Sequence, residues 1–111
     1  LHDERSGLFR EYLRFVAGLM PRFVVMENVT GITSAGSGRA VEEIYDSLET
    51  LGYHLEHRVL KSEEFGVPQE RRRIFFIGSR DSSSIDRPEP THYGATEHNL
   101  FSFSDSRRRY V

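Results

Sequence analysis

Apolar positions fall first at helical spacing and then in short unbroken runs. From Glu4 to about Met20, Leu8, Tyr12, Phe15 and Leu19 form one row, and Phe9, Leu13, Val16 and Met20 form a second beside it. Two adjoining rows make a wide apolar face, so this helix should pack against something large. Asp3 is a candidate N-cap, and Pro21 ends the helix. Phe23-Val24-Val25-Met26 then reads as a strand buried on both faces, as in a parallel sheet, and it gives way abruptly to Glu27-Asn28. A Gly/Ser/Thr-rich loop over 30–38 leads to a second helix. Ser37 can cap that helix, Val41, Ile44, Leu48 and Leu51 form its stripe, and Gly52 stands at its C-terminal stop.

Tyr53 to Leu60 alternates as a half-buried strand, completing a strand-helix-strand unit whose two strands should run parallel. Lys61 to Glu70 is a loop turning at Gly66-Val67-Pro68. Ile74 to Ile77 is a third strand, and its short connection to the second implies an antiparallel hairpin. From Arg80 onward Ser, Asp, Arg and Pro dominate without periodicity, as in a loop or partly disordered tail. The order is therefore α-β-α-β-β: an α/β chain carrying part of a Rossmann-like sheet with a terminal antiparallel hairpin. A strand buried on both faces needs more sheet beside it, so the pattern looks like part of a larger domain. Residues 1–79 would belong to that domain and 80–111 to a following region.

Composition narrows the chemistry. With 111 residues there is room for one thin core. The net charge of −2 argues against a generally basic surface, but Arg71-Arg72-Arg73 and Arg107-Arg108-Arg109 are local basic clusters. Charge runs are most often solvated, and for the tail triplet that reading is preferred. The absence of cysteine excludes disulfides, thiolate metal sites and a cysteine nucleophile within these residues. No apolar run approaches a membrane span and nothing resembles a signal peptide, which fits a soluble protein of the cytoplasm. The first residue is Leu1, as in an internal piece.

Two segments carry candidate chemistry. Glu27 ends a strand where ligands bind in open α/β sheets. A carboxyl buried there can hold a proton near neutrality and act as a general acid. Taken alone, such a residue is more often a strand-end Glu capping a loop or paired with an Arg. The second segment, Phe65-Gly66-Val67-Pro68-Gln69-Glu70-Arg71-Arg72-Arg73, feeds a rigid turn into a strand. Alternation would put Arg71 and Arg73 on one face, able to grip a phosphate, a carboxylate or a base carbonyl. Alone, it too reads at least as well as a solvated strand start.

Read together, Glu27-Asn28-Val29 and Gly66-Val67-Pro68-Gln69-x-Arg71-x-Arg73 resemble the DNA cytosine-5 methyltransferase family in order and separation. Asp3-x-Arg5 and Pro88-x-Pro90-Thr91-His92 are lesser points of likeness, and the resemblance spans residues 3–93. It implies that Glu27 contacts a flipped cytosine at N3, that Arg73 holds its O2, and that Arg71 helps order the site. Asn28 would support Glu27, and Gln69 would be structural. A carboxyl at N3 and a cation at O2 stabilise charge that develops as a thiolate attacks C6, on a base extruded from the duplex.

The resemblance further implies S-adenosyl-L-methionine as methyl donor and DNA as partner. The family's Pro-Cys nucleophile and glycine-rich cofactor loop precede this region and are absent from it, so these residues alone should be inactive. A catalytically silent regulatory homologue, one chain of a split enzyme, and the branch acting on transfer RNA stand as alternatives. Intact Glu27 and Arg73 favour an active parent, and the Pro-Gln-x-Arg pattern favours DNA. An apolar sheet edge left uncovered should promote self-association. The recognised DNA sequence, and whether the parent belongs to a restriction-modification pair, are not encoded in these residues.

Overall fold

A computed structural model describes residues 4–81, 85–93 and 108–109. The first helix, α1, runs Glu4–Leu19, and Asp3 lies outside the described residues. Met20 closes it at φ 44, its N–H donating to Val16 O, and Pro21 prevents a further turn. The Arg80 guanidinium donates to Met20 O, satisfying a carbonyl the helix leaves open.

Strand β1 spans Phe23–Val29. Two short 3-10 turns, Thr30–Thr33 and Ala35–Gly38, fill the loop before helix α2, Arg39–Thr50. The N-cap of α2 is Gly38 rather than Ser37, in a left-handed conformation (φ 87) that glycine adopts without penalty. The C-terminus behaves as its glycine implies. Gly52 has φ 99, its N–H donates to Glu49 O, and Tyr53 N–H reaches back to Leu48 O. Leu48 and Tyr53 then meet in the core, completing a Schellman stop.

Strand β2 (His54–Lys61) is followed by a 3-10 turn (Ser62–Phe65) and strand β3 (Arg72–Ser79). The sheet order is β1-β3-β2, and β3 is antiparallel to both neighbours. The hairpin of β2 and β3 is thus as the short loop implies. β1 and β2 do run the same way across the α2 crossover, but β3 lies between them. Hydrophobic runs of similar strength at 23–26 and 74–77 do not reveal which is central; pairing decides it, and β3 takes the middle.

Each strand therefore has a helix face and an open face. Val24, Ile74 and Phe76 turn to the helix face and close with Val16, Ile44, Leu48 and Tyr53 into the core. β1 is consequently not buried on both sides: Val25, on the open face, is 56% exposed. The second apolar row of α1, with Val16, packs inward, whereas Leu8, Phe15 and Leu19 of the first row face solvent. Gly78 sits in the close-packed stretch where a Cβ would lie 2.8 Å from Val24 Cγ2.

Residues 85–93 lie against the sheet and the turn after β2. Arg87 pairs with Glu56 at 3.0 Å and Thr91 N–H donates to Glu64 O at 2.8 Å. A short strand β4, His92–Tyr93, then pairs in parallel with β5, Arg108–Arg109. No helix among the described residues is long and apolar enough to cross a membrane.

Candidate functional site: an acid-arginine pair on the open face of the sheet

The register fixes what shares the open face. Across the three strands, Glu27 stands opposite Phe75 and Phe75 opposite Arg58; one step along, Val29, Arg73 and Leu60 form the next row. Glu27 and Arg73 are therefore diagonal neighbours, within reach for long side chains. They use that reach: Arg73 Nε lies 3.2 Å from Glu27 Oε1. Arg73 also donates through Nη1 to Arg72 O at 2.7 Å, which holds its guanidinium back along the strand.

The pair is partly wet. The Arg73 side chain is 28% exposed and that of Glu27 is 46%. Burial of Glu27, expected from its place at the end of an apolar strand, is not found, because the open face of β1 carries no covering element among the described residues. What the arrangement offers is a carboxylate and a planar fork of donors side by side on a rigid ladder. A planar ring edge that presents a donor beside an acceptor could engage both.

The other expected residues sit around this pair in different ways. Asn28 shares the row of Ile74, on the helix face, and its Oδ1 accepts from Val29 N–H at 2.8 Å, fixing the end of β1. Arg71 precedes β3, so strand alternation does not place it beside Arg73. Its main chain is committed instead: Arg71 O accepts from Ser62 N–H, and Arg71 N–H points to Glu63 Oε2 at 3.4 Å. Its side chain is exposed. Gln69 contributes through its backbone, with O accepting from Ser62 Oγ at 2.7 Å and N–H donating to Val67 O at 2.8 Å.

Glu63 and Ser62 were not singled out from the sequence. Glu63 is only 6% exposed, yet in Lys61-Ser62-Glu63-Glu64 it looks like one of a run of solvated charges. Nothing in residue type or spacing distinguishes it from Glu64. The segment carrying Thr91 and His92 is only a lesser point of family likeness in the sequence, and its contact with Gly66 appears only in three dimensions.

A shallow groove lies farther across the open face, lined by Glu56, Arg58, Phe75, Ile77, Arg87 and Pro88. Among the described residues no group of three or more His, Cys, Asp or Glu could hold a metal ion. The glycine-bearing turn between β1 and α2 spends N–H groups on itself, with Ser34 N–H on Gly31 O. Its helix N-cap makes no side-chain hydrogen bond.

The sequence matches the family described as C-5 cytosine-specific DNA methylase over residues 1–108. The chain belongs to that family. It is 45% identical over 97 residues to the Type II methyltransferase M1.HphI of Haemophilus parahaemolyticus, covering 87% of this chain and 25% of that protein. With M.NgoFVII of Neisseria gonorrhoeae the identity is 38% over 102 residues, or 90% of this chain and 27% of the relative. Among solved structures, the S. pombe Dnmt2 methyltransferase superposes with a TM-score of 0.60 at 25% identity, covering 77% of this chain and 26% of that one. The methyltransferase sheet expected from the sequence is thus the sheet observed, in part. This methylase-family chain spans about a quarter of the length of the relatives it matches.

Proposed function

We propose that this chain supplies the base-contacting part of a DNA (cytosine-5) methyltransferase that transfers methyl from S-adenosylmethionine to C5 of a flipped cytosine. The observation that carries this reading is the Glu27–Arg73 pair on the open face of a methylase-family sheet. In the free protein the two groups satisfy one another. A cytosine edge presents N3 and O2 as adjacent acceptors, and it would enter between them. Arg73 then donates to O2, and Glu27, released from the arginine and taking a proton from solvent as the base enters, donates to N3. Both bonds strengthen as a nucleophile adds to C6 and electron density moves onto N3 and O2, which is where preorganised donors lower a barrier most. Neither group reaches a base inside the stack, so the substrate is an extruded one. Asn28, Arg71 and Gln69 hold the surrounding backbone.

The nucleophile and the donor-binding surface would come from residues other than those described, so these residues alone transfer no methyl group. Residues 1–79 are read as part of the catalytic domain and 80–111 as the beginning of a target-reading region, with the whole protein acting in a bacterial cytoplasm. The edges of β1 and β2 and the uncovered apolar positions of the open face favour self-association of the chain by itself.

The test is a hybrid in which this chain replaces the matching segment of the Haemophilus parahaemolyticus relative. Purified hybrid is incubated with tritiated S-adenosylmethionine and either duplex DNA or transfer RNA. Label at C5 of DNA cytosine is expected. A folded hybrid that labels neither nucleic acid supports the silent-homologue reading, and label confined to transfer RNA reassigns the substrate.

A further inference from the structure

The arginine arm that leads into β3 is fastened at its base by contacts that the function proposed above does not use. Ser62 makes three of them: its N–H donates to Arg71 O at 2.9 Å, its Oγ to Gln69 O at 2.7 Å, and its O accepts from Val67 N–H at 3.3 Å. One residue thus ties together the start, middle and end of the segment 67–71. Glu63 adds a second fastening. It is buried to 6% exposure, and its Oε2 lies 3.4 Å from the Arg71 amide. Burying a carboxylate is expensive unless it is hydrogen-bonded, so its position is held by what it does for that backbone.

A strap arriving from a distant part of the sequence closes the arrangement. Thr91 N–H and Oγ1 both donate to Glu64 O, at 2.8 and 3.3 Å. The next side chain, His92, lies on Gly66, where a Cβ would stand 3.1 Å from Cε1 of the ring. Gly66 is left-handed at φ 91, and its N–H returns to Glu63 O. The strap therefore presses on the turn directly after the residues that grip Arg71. Two residues beyond Arg71 stands Arg73.

We propose that Ser62 and Glu63, locked by the Thr91–His92 strap, are positioning residues that set the arginine arm so that Arg73 meets Glu27 and the base edge between them. The inference rests on the function proposed above. Neither Ser62 nor Glu63 touches the base; both act through the backbone that carries Arg73. Loss of either lets Arg73 wander, and a displacement of about 1 Å at a reacting group costs on the order of 10²-fold in rate.

The experiment is a double-mutant cycle in the methyltransferase hybrid, with kcat measured separately from the KM for S-adenosylmethionine. Arg73→Ala should lower kcat by about 10²- to 10³-fold. Glu63→Ala should lower kcat by roughly 10²-fold with the cofactor KM unchanged, and should cost little more in the Arg73→Ala background, because it acts through Arg73. Glu63→Gln, which keeps an acceptor for the Arg71 amide, should restore most of the activity. Multiplying effects in the double variant, or a Glu63→Ala loss confined to thermal stability, would overturn the positioning role. If Arg73→Ala itself leaves kcat unchanged, the base-contact reading fails instead. Should Glu63→Ala not fold, Ser62→Ala takes its place in the cycle with the same expectation.

Discussion

Arg73 and Glu27 meet at 3.2 Å although neither is the other's register partner: Arg73 stands opposite Val29, and Glu27 opposite Phe75. A diagonal contact needs both side chains to reach along the sheet, past the row of Glu27 and Phe75. Because both groups are substantially exposed, the pair contributes only about 0.2–1 kcal/mol to stability. Arg73→Ala and Glu27→Gln should therefore melt within a few degrees of the parent sequence by circular dichroism. A large loss of stability in either would mean that the pair is mainly structural.

Gly78 marks where β3 passes closest to its neighbours. A methyl there meets Val24 Cγ2 at 2.8 Å and Leu55 Cδ1 at 3.1 Å. Val24 is itself core and cannot simply swing away. Gly78→Ala should cost about 1–3 kcal/mol, as overpacking does, and lower Tm by roughly 4–8 °C per kcal/mol in a domain of this size. An unchanged Tm would show that β1 can shift outward without penalty.

Alkaline pH should loosen the helix face. Burial, and secondarily Tyr53 nearby, push the Tyr12 hydroxyl above its ordinary value; burial, then Glu49 and Glu56, do the same for Tyr45. Tyr12 donates to Val25 O, and Tyr45 shares a hydrogen bond with His57. A group whose folded pKa is raised contributes stability below its unfolded pKa and loses it as pH rises through the folded one. Tm should thus fall as pH climbs above about 10, and Tyr12→Phe with Tyr45→Phe should flatten that fall. An equal fall in the double variant would assign the effect to other groups.

The open face of β1 should make the chain associate. Val25 and Val29 are exposed there on an edge strand, which is a template for another chain. Sedimentation velocity should show concentration-dependent dimers or larger species, reduced by Val25→Lys. A parent chain that stays monomeric across the range would contradict this.

Much of the fold was legible because local chemistry decides it. The α2 stripe, the Gly52 stop and the short hairpin connection each specify their geometry from a few residues. The central position of β3 was not legible, since the runs at 23–26 and 74–77 look alike and only pairing across the α2 crossover separates them. Glu27 and Arg73 stood out only when the two motifs were read together as a family resemblance; taken alone, each reads as an ordinary strand-end charge. Their diagonal meeting depends on a register that no single segment contains. The buried Glu63 was hidden by its own surroundings, and the strap by a separation of 27 residues between Glu64 and Thr91.

The most direct test of the central claim is tritiated methyl transfer to duplex DNA by the hybrid carrying Glu27→Ala, measured beside the unaltered hybrid at matched folded concentration. Glu27 acting at cytosine N3 requires a loss of about 10²-fold or more in kcat with the melting temperature preserved. Methyl transfer at the unaltered rate would contradict it and leave Glu27 as the strand-end partner of an arginine.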